Sequence, residues 1–130
     1  MTPAPHTVRI KANLNRVRAT FRGRVIADTR RALTVLETGC GPVLYFPRAD
    51  AEMNCLVKTD HHTRCPYKGE ASYFTLVVDG QEAQNAVWTY EAPIPAVLAL
   101  KAYLAFYPDK VEIHEFSGGE ESIEPHAVHP

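Results

Sequence analysis

The chain is expected to fold as a mostly β, antiparallel domain of the α+β class. Short apolar runs with a two-residue period recur along it, Gly, Pro and Asp residues punctuate them, and a single stretch has the composition of a helix. Its 130 residues are enough for one domain with a real core. Residues 1–12 contain prolines and no period and are expected to be a flexible arm, 13–116 the globular domain, and 117–130, with two glycines, a Glu pair and Pro125, a disordered tail.

Within that domain the first element is the clearest. From Arg16 to Arg22, Val17, Ala19 and Phe21 alternate with Arg16, Arg18, Thr20 and Arg22, the pattern of a half-buried strand. Gly23 then permits a tight return into Arg24–Ala27. Ala32–Thr38 is a third strand, stopped by Gly39, Gly41 and Pro42, and Val43–Phe46 a fourth, halted by Pro47, so the four are expected to form a meander. Asp50 suits the cap of one helical turn running to about Leu56. Tyr73–Val78 ends at Asp79–Gly80, a strong turn pair, and Ala86–Tyr90 is its expected neighbour. Pro93 and Pro95 introduce the one expected helix, Ala96 to about Tyr103, rich in Ala and Leu and ended before Pro108. Val111–Phe116 alternates again as a last strand.

Charge excludes little. The 14 basic and 15 acidic residues leave a formal charge of −1, so no polyanion partner is advertised. Six arginines and one acid, Asp28, lie between Arg16 and Arg31, a strip that suits either phosphate contact or the solvated face of a hairpin; nucleic acid is not the expected partner. Met1–His6 lacks an apolar core, and Ile94–Phe106 is too short to span a bilayer. Cys40, Cys55 and Cys65 are an odd number without regular spacing, so free thiols in a reducing cytoplasm are expected, with no disulfide.

Chemistry concentrates between Asp60 and Tyr73. Fourteen residues there hold two histidines, one thiol, basic and acidic groups and two tyrosines, and Pro66 and Gly69 force a bend around Tyr67–Lys68. Cys65 has His61, Arg64 and Lys68 within four residues. It is therefore either a thiolate nucleophile, with His61 as base and Lys68 stabilising negative charge, or a small buried hydrophobe. Cys40, Cys55, Cys65, His61 and His62 offer metal ligands but no C-x-x-C or H-x-x-x-H pair, so no metal site is expected. Tyr45, Tyr67, Tyr73, Trp88 and Tyr90 combine apolar bodies with polar tips, which suits a ligand pocket and a satisfied core equally. Arg48 and Asp50 are either an anion clamp or a local turn pair, and Glu37 is a carboxylate at the end of an apolar strand, expected to be partly buried. No phosphate loop, dinucleotide fingerprint or nucleophile elbow is present.

Ala27–Ala32, Glu37-Thr38, Tyr45-Phe46-Pro47-Arg48-Ala49-Asp50, His61–Tyr73, Trp88-Thr89-Tyr90 and Ala105-Phe106-Tyr107-Pro108 together resemble the bacterial and fungal domain-of-unknown-function family numbered 427. The resemblance covers about Arg16–Ile113, with Cys-Pro-Tyr-Lys-Gly as its most specific motif. It implies a tent-like two-sheet domain and matches at Glu37, Tyr45, Arg48, Asp50, His61, Thr63, Cys65, Tyr67, Lys68, Tyr73, Trp88 and Tyr90. The family also carries a nucleotidyltransferase-like label, which the residues do not support on chemical grounds. The leading expectation is a small-molecule binding module. Its pocket would lie around the Cys65 turn, with Glu37, Tyr45, Arg48, Asp50, Thr63, Tyr67, Tyr73, Trp88 and Tyr90 as lining. The rival is an enzyme that uses Cys65, His61 and Lys68. Neither cofactor nor oligomeric state is legible.

Overall fold

The computed structural model describes residues 5–117 and 120–122. Eleven strands follow in order: β1 (Val8–Ala12), β2 (Arg16–Phe21), β3 (Arg24–Thr29), β4 (Leu33–Glu37), β5 (Val43–Tyr45), β6 (Leu56–Cys65), β7 (Gly69–Val78), β8 (Gln81–Thr89), β9 (Leu104–Phe106), β10 (Glu112–Ser117) and β11 (Glu120–Ser122). They form three antiparallel sheets, in the orders β1-β4-β5, β11-β10-β2-β3 and β6-β7-β8-β9. The domain is mostly β, as its alternation implies.

The hairpin turns obey local chemistry. Arg22 and Gly23, and likewise Asp79 and Gly80, have positive φ, which a two-residue turn matched to strand twist requires. In β2 the alternation holds: Val17, Ala19 and Phe21 are buried and the intervening residues are not. Asn85, at φ 51°, absorbs an irregularity in the β7–β8 register and donates its N–H to Thr75 Oγ1.

The sheet β6–β9 stands in the middle, with a core on each face. Tyr73 pairs with Trp88, and Phe74 with Val87, on neighbouring rungs. Period two therefore sends Phe74 and Val87 into a cluster with Val17, Phe21, Ile26, Phe46 and Phe106 under the β2–β3–β10 sheet. Tyr73 and Trp88 face the other way, against Val35, Val43, Tyr45 and Tyr90 under the β1–β4–β5 sheet. That second core carries the site.

Five expectations change. The arm is not loose up to Ala12, because Val8–Ala12 is paired rung by rung with β4, which gives a third sheet where two were expected. Ala32–Thr38 does not continue a four-strand meander: β4 leaves β3 and pairs with β1 and β5. The helix at Ala96–Tyr103 is a pair of 3₁₀ turns, Pro95–Leu100, broken at Val97 (φ −126°, ψ 30°). Val97 and Leu100, three residues apart as the 3₁₀ period requires, are buried while Leu98 between them is 59% exposed, and Ala102 reverses the chain at φ 65° into β9. Asp50 caps nothing; it ends the 3₁₀ turn Arg48–Asp50, and its carboxylate accepts from Thr29 Oγ1 and Arg31. Of the expected disordered tail, residues 120–122 pair with β10, and 123–130 lie outside the described residues, as do 1–4.

Four arginines of the basic strip are paired within the chain: Arg16 and Arg18 share Asp28, Arg24 faces Glu52 and Arg31 faces Asp50. Cys40, Cys55 and Cys65 are free thiols. Among the described residues, no helix is long and apolar enough to cross a membrane.

Candidate functional site

The Cys65-Pro66-Tyr67-Lys68-Gly69 segment is the turn between β6 and β7, closed by Lys68 N–H donating to Cys65 C=O at 3.2 Å. Gly69 has φ 116°, a conformation that side-chain-bearing residues rarely adopt, and a Cβ there would stand 3.5 Å from backbone atoms of Ala92, Pro93 and Ile94. Ile94 N–H donates to Lys68 C=O, so the turn is docked rather than free.

This docking drives Lys68 inward. Its side chain is 1% exposed, and its ammonium bonds Glu37, at the end of β4, whose side chain is 11% exposed. The second oxygen of Glu37 accepts from His6 Nε2 at 2.8 Å. The His6 ring lies flat on Tyr67, with centroids 3.7 Å apart and planes 17° from parallel. Burial pushes the Glu37 carboxyl up, but hydrogen bonds from Lys68 and His6 outweigh it and hold the group below its ordinary range.

Beneath the pair lies an aromatic interior. Trp88 Nε1–H donates to Tyr45 Oη at 3.1 Å, with the two rings edge to face at 6.2 Å. Tyr90 packs on Tyr45 at 6.5 Å. Its buried hydroxyl has no hydrogen-bond partner among the described residues. Burial drives the Tyr45 and Tyr90 phenols upward, and the nearby Cys65 and Glu37 push the same way, so both stay neutral. At the outer edge, Tyr73 Oη shares hydrogen bonds with Thr63 Oγ1 at 2.8 Å and Tyr107 Oη at 3.5 Å, and His61 tilts onto the Tyr73 ring.

Glu37, Tyr45, Cys65, Tyr67, Lys68, Trp88 and Tyr90 thus gather around one end of the second core, with Thr63, Tyr73 and His61 beside them. Two residues do not join. Arg48 donates from Nε to Ala102 C=O and from Nη2 to Thr89 Oγ1 and Glu91, and it lies over Phe74 on the opposite core, away from the turn. Asp50 does not pair with Arg48 either: its carboxylate accepts from Thr29 and Arg31, 21 and 19 residues away, so the expected local turn pair is not formed. Two open surface depressions, one along β3 and Ala49–Glu52 and one beside Arg22, Glu82 and Lys110, lie away from the turn. Trp88, Tyr45 and Tyr90 are fully enclosed and present no stacking face to solvent.

No hydrogen bond joins the Cys65 thiol to His61 or Lys68 among the described residues. His61 is engaged with Tyr73, and Lys68 with Glu37. Two participants were not legible beforehand. His6 lay in a segment without pattern, 31 residues from Glu37. Tyr107 was visible only as part of the Ala-Phe-Tyr-Pro run.

The orphaned phenol supplies a test of the interior. Tyr90→Phe is expected to leave the ligand-free protein at least as stable, with a gain of up to about 1 kcal/mol by urea unfolding, because a buried donor without a partner is removed. A loss above about 1 kcal/mol would mean that the hydroxyl is satisfied.

A family model described as "Domain of unknown function (DUF427)" matches residues 9–116, and the chain belongs to that family. No curated protein matches it.

Proposed function

We propose that this DUF427 member is a binding module for a small polar molecule, recognised at the Glu37–Lys68 pair under the Cys65–Gly69 turn. The observation that carries this reading is the burial of that pair. Two ions withdrawn from water cost more than they regain unless geometry is excellent, and apolar residues of similar volume do as well or better for stability. A charged pair at the mouth of an aromatic core, reached from the Glu37 and Tyr67 side, is suited to recognition. Tyr90, enclosed with an unused hydroxyl, lies in the same region.

Because Glu37 and Lys68 neutralise each other, net charge contributes little to the selection of a ligand. Stacking on Tyr67, 43% exposed, and hydrogen bonding to the Glu37 carboxylate do the work. The enclosed aromatics below act as a rigid floor. No observation favours the thiol enzyme or nucleotidyl transfer. The latter needs clustered carboxylates for its metal ions, and among the described residues no group of three or more His, Cys, Asp and Glu side chains is placed to hold one.

Thermal unfolding across a broad panel of polar metabolites tests the reading. A true ligand at one hundred times its Kd should stabilise the wild type by about 2.7 kcal/mol, and Glu37→Gln should abolish the shift while remaining folded. A panel without shifts, or shifts that survive Glu37→Gln, would overturn it. Rapid iodoacetamide labelling of Cys65 well below the ordinary thiol range, near pH 8.5, would instead revive the enzyme.

A further inference from the structure

The mouth of the site is covered by a ring from the chain itself. His6 makes two contacts there, and each uses a different property of an imidazole. Its face lies on Tyr67 at 3.7 Å and 17°, a contact that only a flat group can make. Its edge reaches Glu37 Oε2 at 2.8 Å. Lys68 holds that carboxylate in its ionised form, so it is an acceptor, and the Nε2 that meets it is an N–H donor.

From this geometry we infer that His6 is an intramolecular stand-in for the ligand, and that the site takes a planar nitrogen heterocycle with a ring-edge N–H. The inference rests on the binding reading above and adds to it the ligand's chemistry and a competitor built into the arm.

A further observation supports it. The arm is hinged where displacement needs it. Thr7 is anchored by its N–H to Thr38 Oγ1 and by Thr38 N–H to its C=O, while His6, one residue earlier, is held by its side chain, 28% exposed. The ring can leave Tyr67 and Glu37 with β1 still paired to β4.

A heterocycle entering the wild-type site must displace His6, losing a charge-assisted hydrogen bond and a stack for those it makes. Removing His6 should therefore raise affinity by at least roughly tenfold.

The full chain as wild type, His6→Ala and His6→Ala/Tyr67→Ala can be titrated with imidazole and with adenine. Amide shifts of Thr38, Tyr67 and Lys68 provide the readout, and the dispersion of the remaining spectrum verifies the fold. Guanidinium and methylammonium serve as N–H donors that lack the ring. The expected result is saturable binding of imidazole or adenine to His6→Ala, at least tenfold tighter than to wild type, lost in the double variant and weaker for both non-ring cations. Equal affinity for wild type and His6→Ala, no saturable shift in His6→Ala, or equally tight binding of methylammonium or guanidinium would each overturn the inference. If metabolites from the wild-type panel still shift stability through Glu37 in that event, the binding reading stands and the heterocycle alone is rejected.

Discussion

Lys68→Met is expected to lower folding stability by about 3–5 kcal/mol, because it leaves the Glu37 carboxylate in a largely buried place without its cation. In a chain of this size each kcal/mol moves the melting temperature by roughly 3–6 °C, so the loss is easily seen in thermal or urea unfolding. Methionine fills most of the space of the lysine stem, which assigns the loss to charge rather than to a cavity. The companion variant Glu37→Leu/Lys68→Met should recover most of the loss, since an apolar pair demands no desolvation of ions. Failure of the double variant to recover would mean that the stem packing, and not the charge, holds the turn.

The same pair predicts a pH dependence of definite sign. The folded-state pKa of Glu37 lies below its ordinary 4.5. A depressed carboxylate contributes stability that is fully present above the unfolded value and is lost as pH falls through the folded one. Wild type should therefore weaken below about pH 4.5, with Asp28 and Asp50, also depressed, adding to the slope. In Lys68→Met the main group that lowers the Glu37 pKa is gone and burial pushes the carboxyl up, so the gap between variant and wild type should narrow on acidification. A gap of constant size from neutral pH down to about pH 3.5 would contradict the charge argument.

Local rules carried the sequence reading as far as local rules reach. The two-residue alternation of Arg16–Arg22 and the turn pair Asp79–Gly80 need only neighbours, and both are read correctly from them. The Cys-Pro-Tyr-Lys-Gly bend is also local, and Pro66 with Gly69 announces it. β1 is different: Val8 and Ile10 are too few to establish a period, and the strand exists because β4 offers Leu33–Glu37 as a partner. The Ala96–Tyr103 stretch has helical composition, yet it is too short between Pro95 and β9 to form an α-helix. Pro95 and the pairing of Leu104 with Phe46 and Thr89 pull it into 3₁₀ turns and a strand, a tertiary override of propensity. In the site, Glu37 was foreseen as a half-buried carboxylate, whereas the burial of Lys68 was not, because its partner lies 31 residues away. Arg48 illustrates the limit most sharply: its role is written in Thr89, Glu91 and Ala102, which no spacing near residue 48 reveals.

Trp88→Ala is the second large effect, with an expected loss of about 3–5 kcal/mol from the transfer and cavity terms together. The indole is fully enclosed between Tyr45 and Tyr107, with rings at 6.2 and 4.7 Å, and its Nε1–H is the donor that satisfies Tyr45 Oη. Truncation therefore removes apolar contact and orphans a phenol at once, next to the Tyr90 hydroxyl that already lacks a partner. The two parts can be separated. Trp88→Phe keeps much of the volume but loses the donor, and should cost about 1–3 kcal/mol for the unpaired Tyr45 hydroxyl in addition to its packing change. Adding Tyr45→Phe removes that hydroxyl, so the double variant should be less impaired than the sum of the singles, a coupling of about 0.5–3 kcal/mol. Additivity within error would mean that the indole stabilises the core by packing alone. The floor beneath Glu37 and Lys68 would then be held by shape, and the loss in Trp88→Ala should scale with the void it leaves rather than with the Tyr45 hydrogen bond.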